Sequence, residues 1–238
     1  MTDILAGRLA ILVPVYNHAD GIGAVIAGVR SLGLPLWVVD DGSTDATAKL
    51  LSDRAGMTVL RHSENRGKGA ALLTGFEDLA DKADWVVTLD ADGQHDPADI
   101  PSLIAAIPLG SRPIVIGHRK GMEASHVPWT SRFGRGFSNF WVRCAGGPKL
   151  SDTQSGMRIY PLAEVLGLGV RARRFQFEVE VLVRAAWAGI PVVEAPVRVL
   201  YLPGGKRISH FRPFVDFCRN SASFAMLIWL RFFRRRVV

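Results

Sequence analysis

No stretch of this 238-residue chain is long and apolar enough to read as a bilayer-spanning helix. The longest apolar run near the C-terminus, Phe224 to Leu230, has seven residues, and a spanning helix needs about 20. Cysteine is scarce. Cys144 and Cys218 are the only two, and they stand in no metal-ligand or redox spacing. A disulfide framework is excluded, and the pair reads as reduced thiols of an intracellular protein. The N-terminal MTDILAGRLA lacks a basic flank followed by an apolar stretch, so no secretory signal is expected. Internal repeats and low-complexity linkers are missing too. Apolar residues make up 48% and charged residues 21%. That excludes a disordered chain and suits one large domain, or a domain with an appendage.

Charge is unevenly distributed. From Leu200 onward there are eight basic residues (Lys206, Arg207, Arg212, Arg219, Arg231, Arg234, Arg235 and Arg236) against the single acid Asp216. The preceding residues balance at 21 basic and 21 acidic, so the last sixth of the chain carries the whole net charge of +7. Such a polarised end points to an anionic surface, of membrane lipid or of nucleic acid.

The first half alternates two patterns. Short Val-, Ile- and Leu-rich runs, Leu9–Val13, Leu36–Val39, Met57–Leu60, Trp85–Leu89 and Pro113–Ile116, are near-continuously apolar, as in parallel strands covered on both faces. Between them lie helix candidates at Asp20–Ser31, Asp45–Arg54, Lys68–Lys82 and Asp96–Ile107. Ser43, Asp45 and Asp96-Pro97 supply N-terminal signals. This order predicts an α/β chain with a Rossmann-like, mostly parallel open sheet and helices on both faces. Ligands of such sheets bind beyond the carboxyl ends of the strands, which singles out Pro14–His18, Asp40–Asp45, Asp90–His95 and Gly117–Arg119. After Gly121 the pattern loosens. A Gly- and aromatic-rich stretch (RFGRGFSNFWVRCAGG) leads to SDTQSGMRIY, a helix around Phe177–Trp187, a strand-like PVVEAPVRVLYL and a closing helix from about Pro213 to Arg234.

The strongest local signal is TLDADGQHDP, residues 88–97. Two carboxylates flanking one small residue at a strand end, Asp90 and Asp92, can share a divalent cation that also grips a diphosphate, and Gln94 offers a further hard oxygen. The bland alternative is a pair of strand-end turn residues. In VVDDGSTDAT (38–47) an acid after the second strand, Asp41, is placed to bond a ribose or base edge, while Ser43 or Asp45 caps the next helix. In VPVYNH (13–18), Tyr16 either stacks on a base or simply packs.

Taken together, VPVYN, VVDDGSTD, NRGKGAA and LDADGQHDP resemble, in order and spacing over about the first 120 residues, the family 2 glycosyltransferases of GT-A fold. SDTQSGMR narrows the resemblance to enzymes similar to dolichol-phosphate mannose synthase and bacterial polyprenyl-phosphate sugar transferases. The resemblance implies a GT-A domain over 1–203, with a nucleotide-sugar half (1–120) and an acceptor half (121–203), followed by a basic amphipathic membrane-surface segment (204–238). It implies that Pro14, Tyr16, Asp41, Asp90 and Ala91 meet a nucleotide-sugar, that Asp90, Asp92 and Gln94 hold Mg²⁺ or Mn²⁺, and that Arg119 meets phosphate. Family members usually carry an acid after Tyr-Asn, where this chain has His18, so both UDP- and GDP-sugars stay in play. Lys68 reads as a loop residue or a phosphate ligand.

For the acceptor, the resemblance points to Arg119, Gln154, Ser155 and Arg158, with Arg132 as one half of an arginine clamp with Arg135. Arg207 and His210 belong to GGKRISHFRPFVDFCR, which looks like an acceptor-side loop of the family. Solvated arginines and a turn-capping Asp152 are the structural alternatives. A lipid-phosphate acceptor is already ionised and needs no base. It would be glycosylated by direct inverting displacement, with Asp92 and Arg119 among the catalytic residues and metal and arginines supplying the electrostatics. A hydroxyl acceptor needs a base, for which Asp152 is the candidate. No QxxRW occurs, which speaks against a processive synthase. In the last helix Phe214, Phe217, Cys218, Phe224, Ala225, Ile228 and Phe232 recur near helical spacing before FFRRR. That face lies either in a membrane interface or on the protein core. The expected enzyme is thus cytoplasmic and peripheral on the inner membrane face, with no nucleic-acid partner. A nucleotidyltransferase would need a glycine-rich loop after the first strand, which PVYNHADG lacks. A non-catalytic membrane or nucleic-acid binder would leave Asp90 and Asp92 without purpose.

Overall fold

The computed structural model describes residues 8–52, 56–119, 129–199 and 213–234. Seven strands, β1 (Leu9–Val15), β2 (Leu36–Asp40), β3 (Met57–Arg61), β4 (Trp85–Thr88), β5 (Ile114–Arg119), β6 (Arg158–Pro161) and β7 (Val192–Val197), form one sheet in the order β3-β2-β1-β4-β6-β5-β7. Every neighbouring pair is parallel except those of β6, which runs antiparallel to both β4 and β5. The helices are α1 (Ala19–Arg30), α2 (Thr47–Leu50), α3 (Lys68–Leu79), α4 (Ile100–Ala105), α5 (Trp129–Cys144), α6 (Leu162–Gly167), α7 (Phe177–Trp187) and α8 (Pro213–Arg234).

Strand alternation sorts the core into two layers. From β1, Leu9, Ile11, Val13 and Val15 join Ile22, Val25 and Val29 of α1 and Ile100, Leu103 and Ile104 of α4 on one face. Ala10 and Leu12 of the same strand turn to the other face, against Ala71, Leu72, Phe76 and Leu79 of α3 and Phe177, Val181 and Leu182 of α7. Both faces are therefore covered, which is why the strands read as continuous apolar runs. A third cluster joins Val142 of α5 and Ala145 just past its end, Val179 and Val183 of α7, and Phe224 and Leu227 of α8.

Two elements differ from expectation, and a third takes one of two expected positions. Among the described residues of the range 45–54 only the four-residue α2 is helical, with Asp45 accepting from Thr47 N at 2.9 Å. Ser43 caps no helix; its hydroxyl accepts from Asn17 N. The Gly- and aromatic-rich stretch is the 16-residue α5. Gly134 and Gly136 weaken its local helix preference, and packing of Ser138, Val142 and Ala145 overrides it. In the closing helix, whose apolar face was open to either a membrane or the core, Phe224 of that face (2% exposed) and neighbouring Leu227 (0%) turn inward against α5 and α7.

Close approach of α3 to β1 depends on Gly75, where a Cβ would lie 2.4 Å from Leu12 Cδ1 and 3.1 Å from its Cγ. Leu12 is fully buried and has nowhere to retreat. Gly75→Ala is expected to cost about 1–3 kcal/mol by overpacking, read as a lower midpoint in urea unfolding followed by circular dichroism.

Candidate active site

Strands β2 and β4 flank β1 on opposite sides, so the chain leaves the sheet in two directions and opens a crevice at the carboxyl edge. The ladder between β1 and β4 ends where Leu89 N donates to Leu12 O at 3.2 Å. Val15, by contrast, bonds on the β2 side, its carbonyl accepting from Asp41 N at 2.8 Å. Pro14 between them faces β4 where the ladder has already parted, so its missing N–H leaves no bond unmade.

Side chains stitch the first two loops together. Asn17, at φ 50°, is the one non-glycine residue with positive φ among those described. Its carboxamide oxygen accepts from Thr44 N at 2.8 Å and Asp45 N at 3.3 Å, and its own N–H donates to Ser43 Oγ. His18 N donates to Thr47 Oγ1 at 3.0 Å. Asp41 is buried and fully engaged: Oδ1 meets His62 Nδ1 at 2.7 Å and accepts from Arg66 N at 2.9 Å, while Oδ2 accepts from Gly67 N at 2.7 Å. Here, then, Asp41 anchors the 62–67 loop and so fixes where α3 begins.

At that first position stands Lys68. Its ammonium lies 2.5 Å from Asp90 Oδ1 and 2.5 Å from Glu178 Oε1 of α7. Burial alone would drive its pKa down, but the two carboxylates outweigh that and raise it, so Lys68 stays charged. Burial likewise opposes ionisation of Asp90, and Lys68 more than offsets it, holding that carboxyl below its ordinary range. Asp92 moves the other way: burial first, then the charge of Asp90, raise its pKa. Its Oδ1 accepts from Gln94 N at 3.0 Å. The Asp90 carboxyl leaves no space for a side chain at Gly156, where a Cβ would lie 2.1 Å from Oδ2. Buried His95 completes this loop; burial holds its pKa down and its Nδ1 has no hydrogen-bond partner.

On the far side Arg119, the last residue of β5, grips Asp152 through Nε at 2.6 Å and Nη2 at 3.0 Å. Glu194 of β7 accepts from the backbone N–H of Ser151 and Asp152. Asn139 of α5 donates to Ser151 O and accepts from Thr153 N. The 151–154 loop is thus pinned from three elements, and a Cβ at Gly134 of α5 would lie 3.8 Å from Gln154 Oε1, in ordinary contact.

Two expected acceptor residues lie inside the protein. Arg158 is 1% exposed and donates to the carbonyls of Ser155, Glu178 and Thr153 at 2.7, 2.8 and 2.9 Å. A charged strand residue facing the core binds its own chain, so the acceptor contact expected for Arg158 is corrected to a structural one. Ser155 is completely buried and gives the acceptor no exposed surface. Asp152 is also completely buried, and with both oxygens on Arg119 it is a poor base. Pro14 and Ala91 are buried at the crevice, Tyr16 and Gln94 are half-buried, and Arg132 is exposed on α5. Arg207 and His210 lie outside the described residues. Sequence reasoning missed Glu178, His62, Glu194 and Asn139. Each is a polar residue in or beside a segment read only for its secondary structure, given meaning by a partner elsewhere in the chain.

The donor set fits a hard divalent cation. Asp90 and Asp92 stand near enough on one loop for the charge of Asp90 to raise the pKa of Asp92 beyond what burial does, a repulsion that a cation between them would relieve. Among the described residues no third His, Cys, Asp or Glu closes these two into a cage.

A crevice at the switch point of a mostly parallel sheet, with acids converging from separate strands and one reversed strand beyond, defines a glycosyltransferase of the GT-A class. Comparison with known proteins takes this further. Residues 10–162 match the family described as Glycosyl transferase family 2, and the chain belongs to that family. It is 29% identical over 213 residues to a UDP-N-acetylglucosamine–dolichyl-phosphate N-acetylglucosaminyltransferase of Methanococcus voltae, covering 80% of this chain and 85% of that one. It is also 29% identical over 203 residues to an undecaprenyl-phosphate mannosyltransferase of Micrococcus luteus, covering 80% and 82%. In fold it is similar to mannosyl-3-phosphoglycerate synthase from Rubrobacter xylanophilus, with TM-score 0.68 at 17% identity over 99% of this chain and 77% of that one.

Burial would raise the Asp152 pKa, and the hydrogen bonds and charge of Arg119 reverse this to hold it below the ordinary 3.8. A depressed carboxylate stabilises the fold above its unfolded pKa and loses that contribution as pH falls through the folded value. Arg119→Met is therefore expected to cost about 3–5 kcal/mol near neutral pH by stranding a buried charge. The difference from wild type should shrink as pH falls, first above 3.8 as the stranded Asp152 of the variant takes up a proton and then below it as the wild-type Asp152 does, as urea unfolding at several pH values would show.

Proposed function

We propose that this enzyme moves a sugar from a UDP- or GDP-linked donor onto a polyprenyl phosphate at a membrane surface, with inversion at the anomeric carbon. The observation that carries the acceptor assignment is the pairing of Asp152 with Arg119. Asp90 and Glu178 share Lys68 in the same way. With these carboxylates committed to cations, the site suits an acceptor that arrives ionised, and a phosphate does so at neutral pH. That favours the lipid phosphate over a hydroxyl acceptor with Asp152 as base. The activities that the Methanococcus and Micrococcus relatives are named for, both on polyprenyl-type phosphates, support the same choice.

In this reading Asp90, Asp92 and Gln94 would hold Mg²⁺ or Mn²⁺, which supplies charge neutralisation at the departing diphosphate. Tyr16 borders the nucleoside, while Asp41 acts by fixing the loop around it. Arg119, with Arg132 on the flanking helix, offers guanidinium donors to phosphate. Gln154, held against α5, lines the acceptor side.

Membrane attachment is supported by the distribution of exposed apolar residues. Of the eight large hydrophobics exposed among the described residues, six lie on two neighbouring helices: Phe133 and Phe140 on α5, and Met226, Trp229, Phe232 and Phe233 on α8. No helix among the described residues is long and apolar enough to cross a membrane. A face of this kind, ending in a basic run, suits a helix pair lying in the headgroup region.

Two experiments test this. Purified protein with Mn²⁺ or Mg²⁺, a panel of labelled UDP- and GDP-sugars and polyprenyl phosphate should carry label into the organic phase. Asp92→Asn should lower that rate by about 10²-fold or more, the scale of losing an electrostatic partner of the leaving group. Label reaching only water or a soluble hydroxyl acceptor would reverse the acceptor assignment. In vesicle co-sedimentation with anionic phospholipid, Trp229→Glu with Phe232→Glu should release most of the protein to the supernatant. Retention equal to wild type would exclude this face as the attachment site.

A further inference from the structure

The ammonium of Lys68 does what a metal ion would do for half of the proposed metal site. It touches Asp90 and Glu178 at 2.5 Å each, and the three side chains are only 17%, 28% and 9% exposed. Its place is set by the backbone. Gly67, at φ +101°, starts α3 with its N–H on Asp41, and the helix packs so tightly that a Cβ at Gly69 would lie 2.7 Å from Ala172 O. Lys68 therefore cannot drift away by shifting its helix. It can move only its side-chain tip, between two carboxylates. Asp92 and Asp90 together provide too few ligands to hold a divalent cation alone, and no third acidic or imidazole ligand joins them among the described residues. Mg²⁺-type cations are bound in such sites by one or two carboxylates together with substrate phosphates.

We propose that Lys68 is the resident counter-cation of Asp90, released toward Glu178 when a divalent cation arrives with the nucleotide, so that free enzyme takes up little metal. This rests on the metal-dependent reading above and extends it to the order of binding. While the ammonium sits on Asp90, an incoming dication meets a like charge at contact distance and half its carboxylate ligands already taken. The diphosphate changes the balance by bringing negative charge and additional oxygens, and Glu178 then receives the ammonium without leaving it buried and unpaired. Lys68 and Glu178 are positioning residues here; neither bonds a reacting atom.

Mn²⁺ binding to the full-length chain, followed by the electron paramagnetic resonance of free Mn²⁺ with and without UDP and GDP, tests this without requiring transfer. Wild type should bind Mn²⁺ at least about tenfold more tightly with its preferred nucleotide than alone, within the range that outer ligands exert on metal affinity. Lys68→Met should bind Mn²⁺ without nucleotide about tenfold more tightly than wild type, while Lys68→Arg keeps the wild-type value. Glu178→Gln leaves Lys68 no second carboxylate and should weaken the nucleotide-supported binding by about tenfold. Circular dichroism melts check folding, and the Glu178→Gln and Lys68→Arg arms decide the matter if Lys68→Met does not fold. Equal Mn²⁺ affinity in wild type and Lys68→Met, or wild type binding Mn²⁺ equally with and without nucleotide, overturns the proposal. If no variant binds Mn²⁺ under any condition, the metal-dependent reading falls with it. A gain in Lys68→Met beside metal-independent sugar transfer upholds the role of Lys68 and overturns only the metal requirement.

Discussion

Lys68 carries its charge between carboxylates from distant parts of the chain, Asp90 after β4 and Glu178 on α7. A buried ammonium with one partner would be costly and a buried carboxylate with none more so, so the three groups hold one another in register. Asp41 sets the residue before Lys68 through Gly67. The Asp90 carboxyl in turn requires glycine at position 156, next to buried Ser155. One electrostatic junction thereby fixes the donor loops against the segment that leads into β6.

The far side of the crevice, the proposed acceptor side, repeats the arrangement with different groups. Arg119 and Asp152 form a planar two-point pair in which burial of the acid is offset by the guanidinium. Arg158, beneath them, donates to three carbonyls and makes a rigid floor. Pairing of this kind keeps acids from acting as bases and leaves the site electrostatically set before substrate enters. Transfer to an already ionised acceptor requires no more of the protein than position and charge.

The third layer, α5 with α8, serves two surfaces at once. Ser138 and Asn139 of α5 bond the 151–154 loop, and Phe137 and Trp141 contact Phe224 of α8. The outward residues of both helices, Phe140 and Trp229 among them, are exposed. A helix that touches the acceptor loop on one side and presents aromatics on another links the chemistry to the proposed membrane face through a single rigid element.

Periodicity made the first 120 residues legible: five strands, the placement of α1 and α3, and the loops bearing Asp41, Asp90 and Asp92 follow from apolar runs broken by polar strand ends, although Gly117–Arg119, expected as a loop, continues β5. The reason is local, because a strand covered on both faces must be apolar throughout and its ligand loops must follow it directly. The same reasoning failed for α5, whose glycines hide a helix that exists because α7 and α8 cover it. The family resemblance pointed Arg158 toward the acceptor, and the fold placed it in the core. Charge alone cannot say which way a side chain points; that depends on which carbonyls the fold leaves needing a donor. Sequence by itself determined the sheet, the acidic loops and the basic end of this protein. Only tertiary structure decided that Lys68 belongs to Asp90 and Glu178, that Asp152 belongs to Arg119, and which face of α8 remains outside. Each of those depends on residues more than 20 positions apart, brought together by packing that no local pattern encodes.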